Sequence, residues 1–281
     1  MKEAINIHGS SVHLIVASGG NAGLATATAA KAFNVHCTVY LPSTASTHAL
    51  KFFRTEGADV QIHGDIYDDA LAAAKAAAAS DPNGSVCFSL CSSYKDPHAY
   101  PRVLVPAFDH PTVWEGHSSM IKEIAQQLPH DVKPDAIFCS VGGGGLAGGV
   151  IIGCRSVGWE DGEAPTDKIC FVNRPLIRLY EVPLITMETS GSNCFYQTLA
   201  LNEGPFTSKR DPPNHVSSSH NAEHSVVLAH LSKLTSLALC LGATSPSPAV
   251  VKMALTRKGG VKSAHIPDEI AIQAALQFAG K

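Results

Sequence analysis

Short apolar runs alternate with helical patterns through the first two hundred residues. Residues 12–17 (VHLIVA) predict a strand, closed by the turn-like SGGN. The alanine-rich 22–33 (AGLATATAAKAF) predict a helix. A second strand at 35–41 (VHCTVYL) stops at Pro42, and a helix at 46–56 ends at Gly57. A third strand at 58–63 (ADVQIH) and a third helix at 66–79 follow, closed by an SDPNG turn. Strand–helix alternation of this kind predicts parallel βαβ units with right-handed crossovers.

The rhythm resumes past the middle. Residues 118–128 predict an amphipathic helix with Ile121, Ile124, Ala125 and Leu128 on one face. The near-continuous apolar run 136–141 (AIFCSV) predicts a strand covered on both faces. Four glycines and a small-residue helix to Val157 come next, and 182–187 (VPLITM) predict another buried strand. The polar stretch 202–220, rich in Ser and Pro, predicts a long loop. Residues 226–241 predict a helix ended by Gly242, and 267–278 a last helix. Two stretches, 87–102 and 168–181, show no clear period.

Composition adds mostly exclusions. A hydrophobic content of 45% supports a sizeable core, and 281 residues allow one large domain or two smaller ones. A net charge of -3 gives no reason to expect nucleic acid or an anionic membrane as partner. No apolar run has the length of a membrane span, and MKEAINIHGS has no leader-like pattern. The eight cysteines (Cys37, Cys87, Cys91, Cys139, Cys154, Cys170, Cys194, Cys240) form no CxxC pair and read as reduced, mostly buried thiols. The histidines show no HExxH spacing, so no metal site is expected.

Two glycine loops carry the candidate chemistry. Ser18-Gly19-Gly20-Asn21-Ala22-Gly23 sits at a strand-to-helix junction. Outward-pointing amides and the helix dipole favour an anion there, a carboxylate or a phosphate. A tight turn that merely needs glycine is the competing reading. Gly142, Gly143, Gly144 and Gly145 follow an apolar strand and precede a helix. Converging amides would suit a phosphate; a flexible surface loop is the alternative. The sequence meets neither the dinucleotide fingerprint nor the GK[ST] of a P-loop.

These residues also carry a family resemblance. SGGNAGLA at 18–25 resembles the S-x-G-N-x-G substrate loop of fold-type-II pyridoxal-phosphate enzymes. Phe108-Asp109-His110-Pro111, with Trp114-Glu115-Gly116-His117 after it, resembles the PFDDPxxWEGH stretch of serine dehydratases. SVGGGGL at 140–146 is similar to their phosphate loop. Thr186-Met187-Glu188, followed by Ser192 and Phe195, is similar to their ITMETxGxxSF segment, and LTSLALCLG at 234–242 to TSVAxxLG. The WEGH and LTSLALCLG segments point to the eukaryotic cytosolic serine dehydratase branch.

The resemblance implies an α/β fold with two open, mostly parallel sheets: a small substrate-loop domain over residues 1–104 and a large cofactor domain over 105–281. It implies pyridoxal 5'-phosphate, its phosphate held by Gly142, Gly143, Gly144 and Gly145 with Leu146 adjacent. It places Asn21 on the cofactor's ring hydroxyl, Ser18, Gly19, Gly20 and Ala22 on the substrate carboxylate, Phe108 on the pocket wall and Glu188 near the ring. The implied reaction is β-elimination from L-serine or L-threonine, giving pyruvate or 2-oxobutanoate and ammonium. The implied protein is a cytoplasmic homodimer of amino-acid metabolism and gluconeogenesis.

The chain departs from the family pattern in two places. No lysine lies in the S-[FY]-K-x-R-G context of the cofactor-anchoring residue: Lys2 lacks it, and Lys31, Lys51, Lys122, Lys133 and Lys233 read as solvated. The EPACG-type segment is also absent. The expectation is therefore a large domain short of packing layers at both ends, with exposed edges and apolar faces. The stretches 87–102 and 168–181 would be translated introns or lineage-specific loops. The alternatives to an active dehydratase are a non-catalytic form and another reaction on the same fold, such as serine racemization.

Overall fold

The computed structural model describes residues 2–80, 101–129, 132–160, 182–204 and 209–280. The irregular stretch 168–181, nearly all of 87–102 and all but the first residue of the SDPNG turn lie outside them, as do Cys87, Cys91 and Cys170. The chain divides into two compact units, Met1–Ala107 and Phe108–Lys281.

The first unit runs α1 (Lys2–His8), β1 (His13–Ala17), α2 (Asn21–Phe33), β2 (His36–Leu41), α3 (Thr47–Thr55), β3 (Asp59–Ile62), α4 (Tyr67–Ala79) and β4 (Arg102–Val105). Its sheet is parallel throughout, in the order β3-β2-β1-β4. Residue alternation in β1 sends Leu14 and Val16 to one face and Ile15 and Ala17 to the other. The first pair packs with Ala27, Ala30 and Phe53 from α2 and α3, the second with Ala74 and Ala78 from α4. Small residues on α2 and α4 let the helices lie close to the strands.

Polar groups gather where these strands begin. His13, His36, Asp59 and Arg102 are the first residues of β1, β2, β3 and β4. The His13 and His36 rings meet edge to face at 4.5 Å, His13 Nε2 is 2.8 Å from Thr38 Oγ1, and His36 lies 3.5 Å from Asp59. Arg102 donates to the Ala77 carbonyl and Ser80 Oγ at the end of α4.

The second unit runs α5 (Pro111–Gln127), β5 (Ile137–Ser140), α6 (Gly145–Ser156), β6 (Leu184–Thr189), α7 (Cys194–Leu201), β7 (Val216–Asn221), β8 (Val226–Leu231), α8 (Pro248–Thr256), β9 (Val261–Ile266) and α9 (Asp268–Ala279). β5, β6 and β9 form a parallel sheet with β6 central, and β7 and β8 an antiparallel hairpin. The core joins Trp114 and Ile121 of α5, Val150 and Ile151 of α6, Leu184, Phe195, Leu228 and Val250. α5 and α6 approach closely because Gly149 faces α5, where a Cβ would overlap that of His117.

Several expectations from sequence are corrected. Residues 226–241 are no helix: they form β8, then a loop and a short 3₁₀ turn at Leu239–Leu241. Val226 and Leu228 pack into the main core while Ala229 and Leu231 pack into a second one. A strand buried on both faces reads as a continuous apolar run, which periodicity cannot tell from a buried helix. The stretch 202–220 is not all loop, since β7 takes its last residues; Ser217, Ser218 and Ser219 are exposed, so the strand carries no alternation to read. β5 is an edge strand covered on one face, with Cys139 buried and Phe138 69% exposed. The helix predicted at 118–128 begins at Pro111, with the His110 side chain accepting from Thr112 N and proline in the first turn. α1, α7, α8 and β9 have no counterpart in the sequence-based elements.

Apolar side chains stay exposed at the margins of the second unit. α9 buries none of its residues, and Leu276 and Phe278 are open to solvent. An ion-pair triad with a buried Arg257–Glu160 pair and an exposed Arg155 ties together the far end of α6, the approach to β6 and the end of α8. Arg257, 1% exposed, donates to Glu160 (3.0 Å) and to the carbonyls of Gly260 and Val182, and Arg155 takes the other Glu160 oxygen at 2.8 Å.

Removing one partner of such a pair strands the other. Arg257→Met is expected to destabilise the second unit by about 3–5 kcal/mol in denaturant unfolding, well beyond the effect of an exposed ion pair. The first unit should be acid-sensitive. Burial, then His36 and Arg102, lower the His13 pKa from 6.5 to about 4, with Asp59 opposing. Its folded value lies below the unfolded one, so its contribution is complete above pH 6.5 and is lost as pH falls toward 4. Melting temperatures measured across that window should fall less steeply for His13→Gln than for the parent.

Candidate functional site

The two glycine loops lie at the C-terminal ends of parallel strands, one in each unit. In the first unit the loop joins β1 to α2. Ser18 N donates to the Tyr40 carbonyl, and Gly20 N donates to Ser18 Oγ at 3.3 Å. Ser18 is buried; Asn21, the first residue of α2, is exposed, and Ala22 is half-buried behind it. Gly20 caps α2 with no side-chain partner, so the first amides of the helix remain open to an acceptor. Gly19 is exposed, 3.6 Å from Leu41 by the direction a Cβ would take.

In the second unit the tetraglycine joins β5 to α6. Val141 N donates to Met187 O across the strand ends, and the next amide with a backbone acceptor is Gly148, which bonds Gly144 O. Among the described residues, the N–H groups of Gly142, Gly143 and Gly144 find no protein acceptor. Gly144 is buried and caps α6 at φ 101°, a backbone region that a side chain resists. Gly142 and Gly143 are half-buried, and amides free of protein acceptors at a helix N-terminus are of the kind that suits an anion.

Packing explains why the loop is glycine. A Cβ at Gly143 would come 2.5 Å from the Phe108 ring, at Gly142 2.9 Å from Leu241 O, at Gly145 3.0 Å from Phe108, and at Gly144 3.2 Å from Val250. Phe108 is itself held by Trp114, whose indole N–H donates to its carbonyl at 2.6 Å. Leu146, at the start of α6, is exposed.

Glu188 lies on β6, 1% exposed. Its carboxylate oxygens accept from the Phe195 and Tyr196 amides at 3.0 and 2.6 Å, closing the N-terminus of α7. Burial pushes its pKa up to about 8, the two amide bonds pulling the other way. The neighbouring Cys194 thiol, raised by burial and by Glu188, points to the Gly142 carbonyl at 3.6 Å. Phe108, the tetraglycine and Glu188 thus share one corner of the second unit.

Sequence reasoning missed Ser247, whose N–H donates to Gly143 O and whose hydroxyl reaches Asp109. The SPSP run around it signals a helix start, yet nothing local announces a partner far away in sequence. It also missed Thr189, Ser236 and Asp268, which form a hydrogen-bonded chain behind the LTSLALCLG segment. Every described lysine, Lys2, Lys31, Lys51, Lys122, Lys133 and Lys233 included, is exposed. Of the described cysteines, Cys240 alone is exposed. Among the described residues no cluster of His, Cys, Asp and Glu is placed to hold a metal, and no helix is long and apolar enough to cross a membrane.

Comparison with known proteins identifies the family. Residues 2–281 match the profile of a family described as "Pyridoxal-phosphate dependent enzyme". The chain is 32% identical over 266 residues to a Mus musculus protein named L-serine dehydratase/L-threonine deaminase, covering 95% of this chain and 61% of that protein. It is 36% identical over 188 residues to a Dictyostelium discoideum L-serine dehydratase, covering 66% of this chain and 43% of that one. The fold resembles that of a fungal L-serine ammonia-lyase from Rhizomucor miehei, with a TM-score of 0.68 at 23% identity over 99% of this chain and 67% of that one. The chain thus spans about three fifths of the length of the mouse protein. A profile matched over nearly the whole sequence, and a relative above 30% identity, place the chain in the family of pyridoxal-phosphate-dependent enzymes.

Proposed function

We propose that this protein is a pyridoxal 5'-phosphate-dependent L-serine ammonia-lyase that also accepts L-threonine. The observation that carries the reading is the run of amides from Gly142 to Gly144, before and at the start of α6, with no acceptor among the described residues. A phosphate dianion would satisfy several of these donors at once and meet the positive end of the helix dipole. The names of the mouse and Dictyostelium relatives supply the reaction. When bound, the cofactor supplies an electron sink for charge at the substrate α-carbon.

The roles follow. Gly142, Gly143, Gly144 and Gly145, with Leu146, hold the phosphate. Asn21 meets the ring hydroxyl, and Ser18, Gly19, Gly20 and Ala22 hold the substrate carboxylate at the start of α2. Phe108 forms pocket wall beside the tetraglycine, and Glu188 sits near the ring. The α-proton and the β-hydroxyl leave as water, and hydrolysis then gives keto acid and ammonium. The family resemblance carries the further proposal of a homodimer that works on free amino acids in the cytoplasm.

One observation favours a second reading, a cofactor-binding form without chemistry: no described lysine is buried, whereas a proton-transferring amine is held in a desolvated pocket. Keto acid released from L-serine by the purified protein with pyridoxal 5'-phosphate would support the lyase. Cofactor bound with no keto acid, and no lysine labelled after borohydride reduction, would support the second reading.

Two predictions test the proposed roles. Gly144→Ala forces a side chain into a positive-φ position, so affinity for pyridoxal 5'-phosphate in calorimetry should fall at least about tenfold. The second concerns Glu188. Its folded pKa of about 8 lies above the ordinary 4.5, so its stabilising contribution is complete below pH 4.5 and is lost as pH rises to 8. Thermal unfolding of Glu188→Gln should therefore depend less on pH across that window.

A further inference from the structure

The tetraglycine does not hold its own shape. Ser247, 1% exposed, precedes α8, and three of its bonds converge on the loop's surroundings. Its N–H donates to the Gly143 carbonyl at 2.9 Å. Its hydroxyl donates to Asp109 Oδ1 at 2.5 Å and accepts from Val250 N at 3.3 Å, capping α8. Asp109 follows Phe108, whose ring packs on Gly143 and whose carbonyl takes the Trp114 N–H. Asp109, Ser247 and Gly143 are thus linked in series, from the segment before α5, through the cap of α8, to the loop.

The series has a directional consequence. In a trans peptide the C=O and the following N–H lie in one plane and point in opposite directions within it. The Gly143 carbonyl and the Gly144 N–H belong to the same peptide. A bond that turns the Gly143 carbonyl toward Ser247 therefore turns the Gly144 N–H to the other side of the loop, where no described acceptor takes it. Gly144 has no side chain to enforce that orientation, and its φ of 101° is one of several that glycine adopts freely.

We propose that Asp109 and Ser247 act as positioning residues, an external latch that fixes the Gly143–Gly144 peptide with its N–H presented to the phosphate. The proposal rests on the tetraglycine as the phosphate site and adds what orients it. Preorganised donors cost no rearrangement when the anion arrives, so the latch acts on the phosphate and on no other part of the cofactor.

The test compares pyridoxal 5'-phosphate with pyridoxal, which lacks the phosphate, by equilibrium titration of the purified protein. Asp109 is exposed and its replacement leaves the α8 cap in place, so Asp109→Ala is the principal variant. It should weaken pyridoxal 5'-phosphate about tenfold, the scale of one lost charge-assisted hydrogen bond, and leave pyridoxal unchanged. Ser247→Ala should do the same, and Ser247→Thr, which keeps the hydroxyl, should restore affinity. An equal loss for both ligands, or no loss in Asp109→Ala, overturns the latch. Gly144→Ala separates the two ideas. If it abolishes phosphate-dependent affinity while Asp109→Ala and Ser247→Ala do not, the latch alone fails. If it has no effect, or if the parent protein does not distinguish the two ligands, the phosphate reading fails and the latch with it.

Discussion

Backbone amides that leave a strand need acceptors, and those of Gly142, Gly143 and Gly144 have none in the described protein. Gly144 is buried and Gly142 and Gly143 half-buried, and the loop is held from outside. Phe108, Leu241 and Val250 occupy the directions where side chains would grow. Trp114 fixes Phe108, and the small-residue face of α6 lets α5 bring Trp114 near enough to do so. The glycine run is thus the meeting point of four segments, and its sequence answers to their packing.

The parallel sheets sort polar groups by strand end. At the C-terminal ends lie the Ser18 loop after β1, the tetraglycine after β5 and Glu188 near the end of β6. Open α/β sheets bind ligands at these ends, where loops and helix N-termini converge. At the N-terminal ends of the first unit lie His13, His36, Asp59 and Arg102, paired mainly with one another and with the end of α4. In the first group the amides of Gly142, Gly143 and Gly144 find no acceptor among the described residues, while Glu188 is paired with α7; the second group uses its own. Acid sensitivity therefore belongs to the end of the sheet remote from the glycine loop.

The first unit was largely legible in sequence because its strands are short, apolar and separated by turn residues, and because α2 and α4 are alanine-rich. The second unit was less so wherever long-range contacts overrode local pattern. Residues 226–231 are apolar on both faces because two cores meet there. Ser217, Ser218 and Ser219 pair as an edge strand without alternation, and Phe138 is apolar yet exposed. The glycine loops stood out because few other residues tolerate such turns. Ser247 and Asp109 did not, since their meaning comes from a contact spanning 138 residues.

Glu188 shows how one side chain serves structure and leaves room for chemistry. Its two oxygens accept from the Phe195 and Tyr196 amides, which accounts for a buried acid on β6 without any ligand. Those bonds favour the carboxylate, yet burial outweighs them and lifts the pKa to about 8. Near neutral pH the protonated form is therefore accessible, and it keeps lone pairs on both oxygens for the amides while gaining a proton to donate. Capping α7 and donating toward a neighbouring group are then compatible, which neither an aspartate of shorter reach nor a permanently ionised carboxylate would combine. The α7 cap holds the carboxyl in one orientation, beside a thiol that reaches the Gly142 carbonyl.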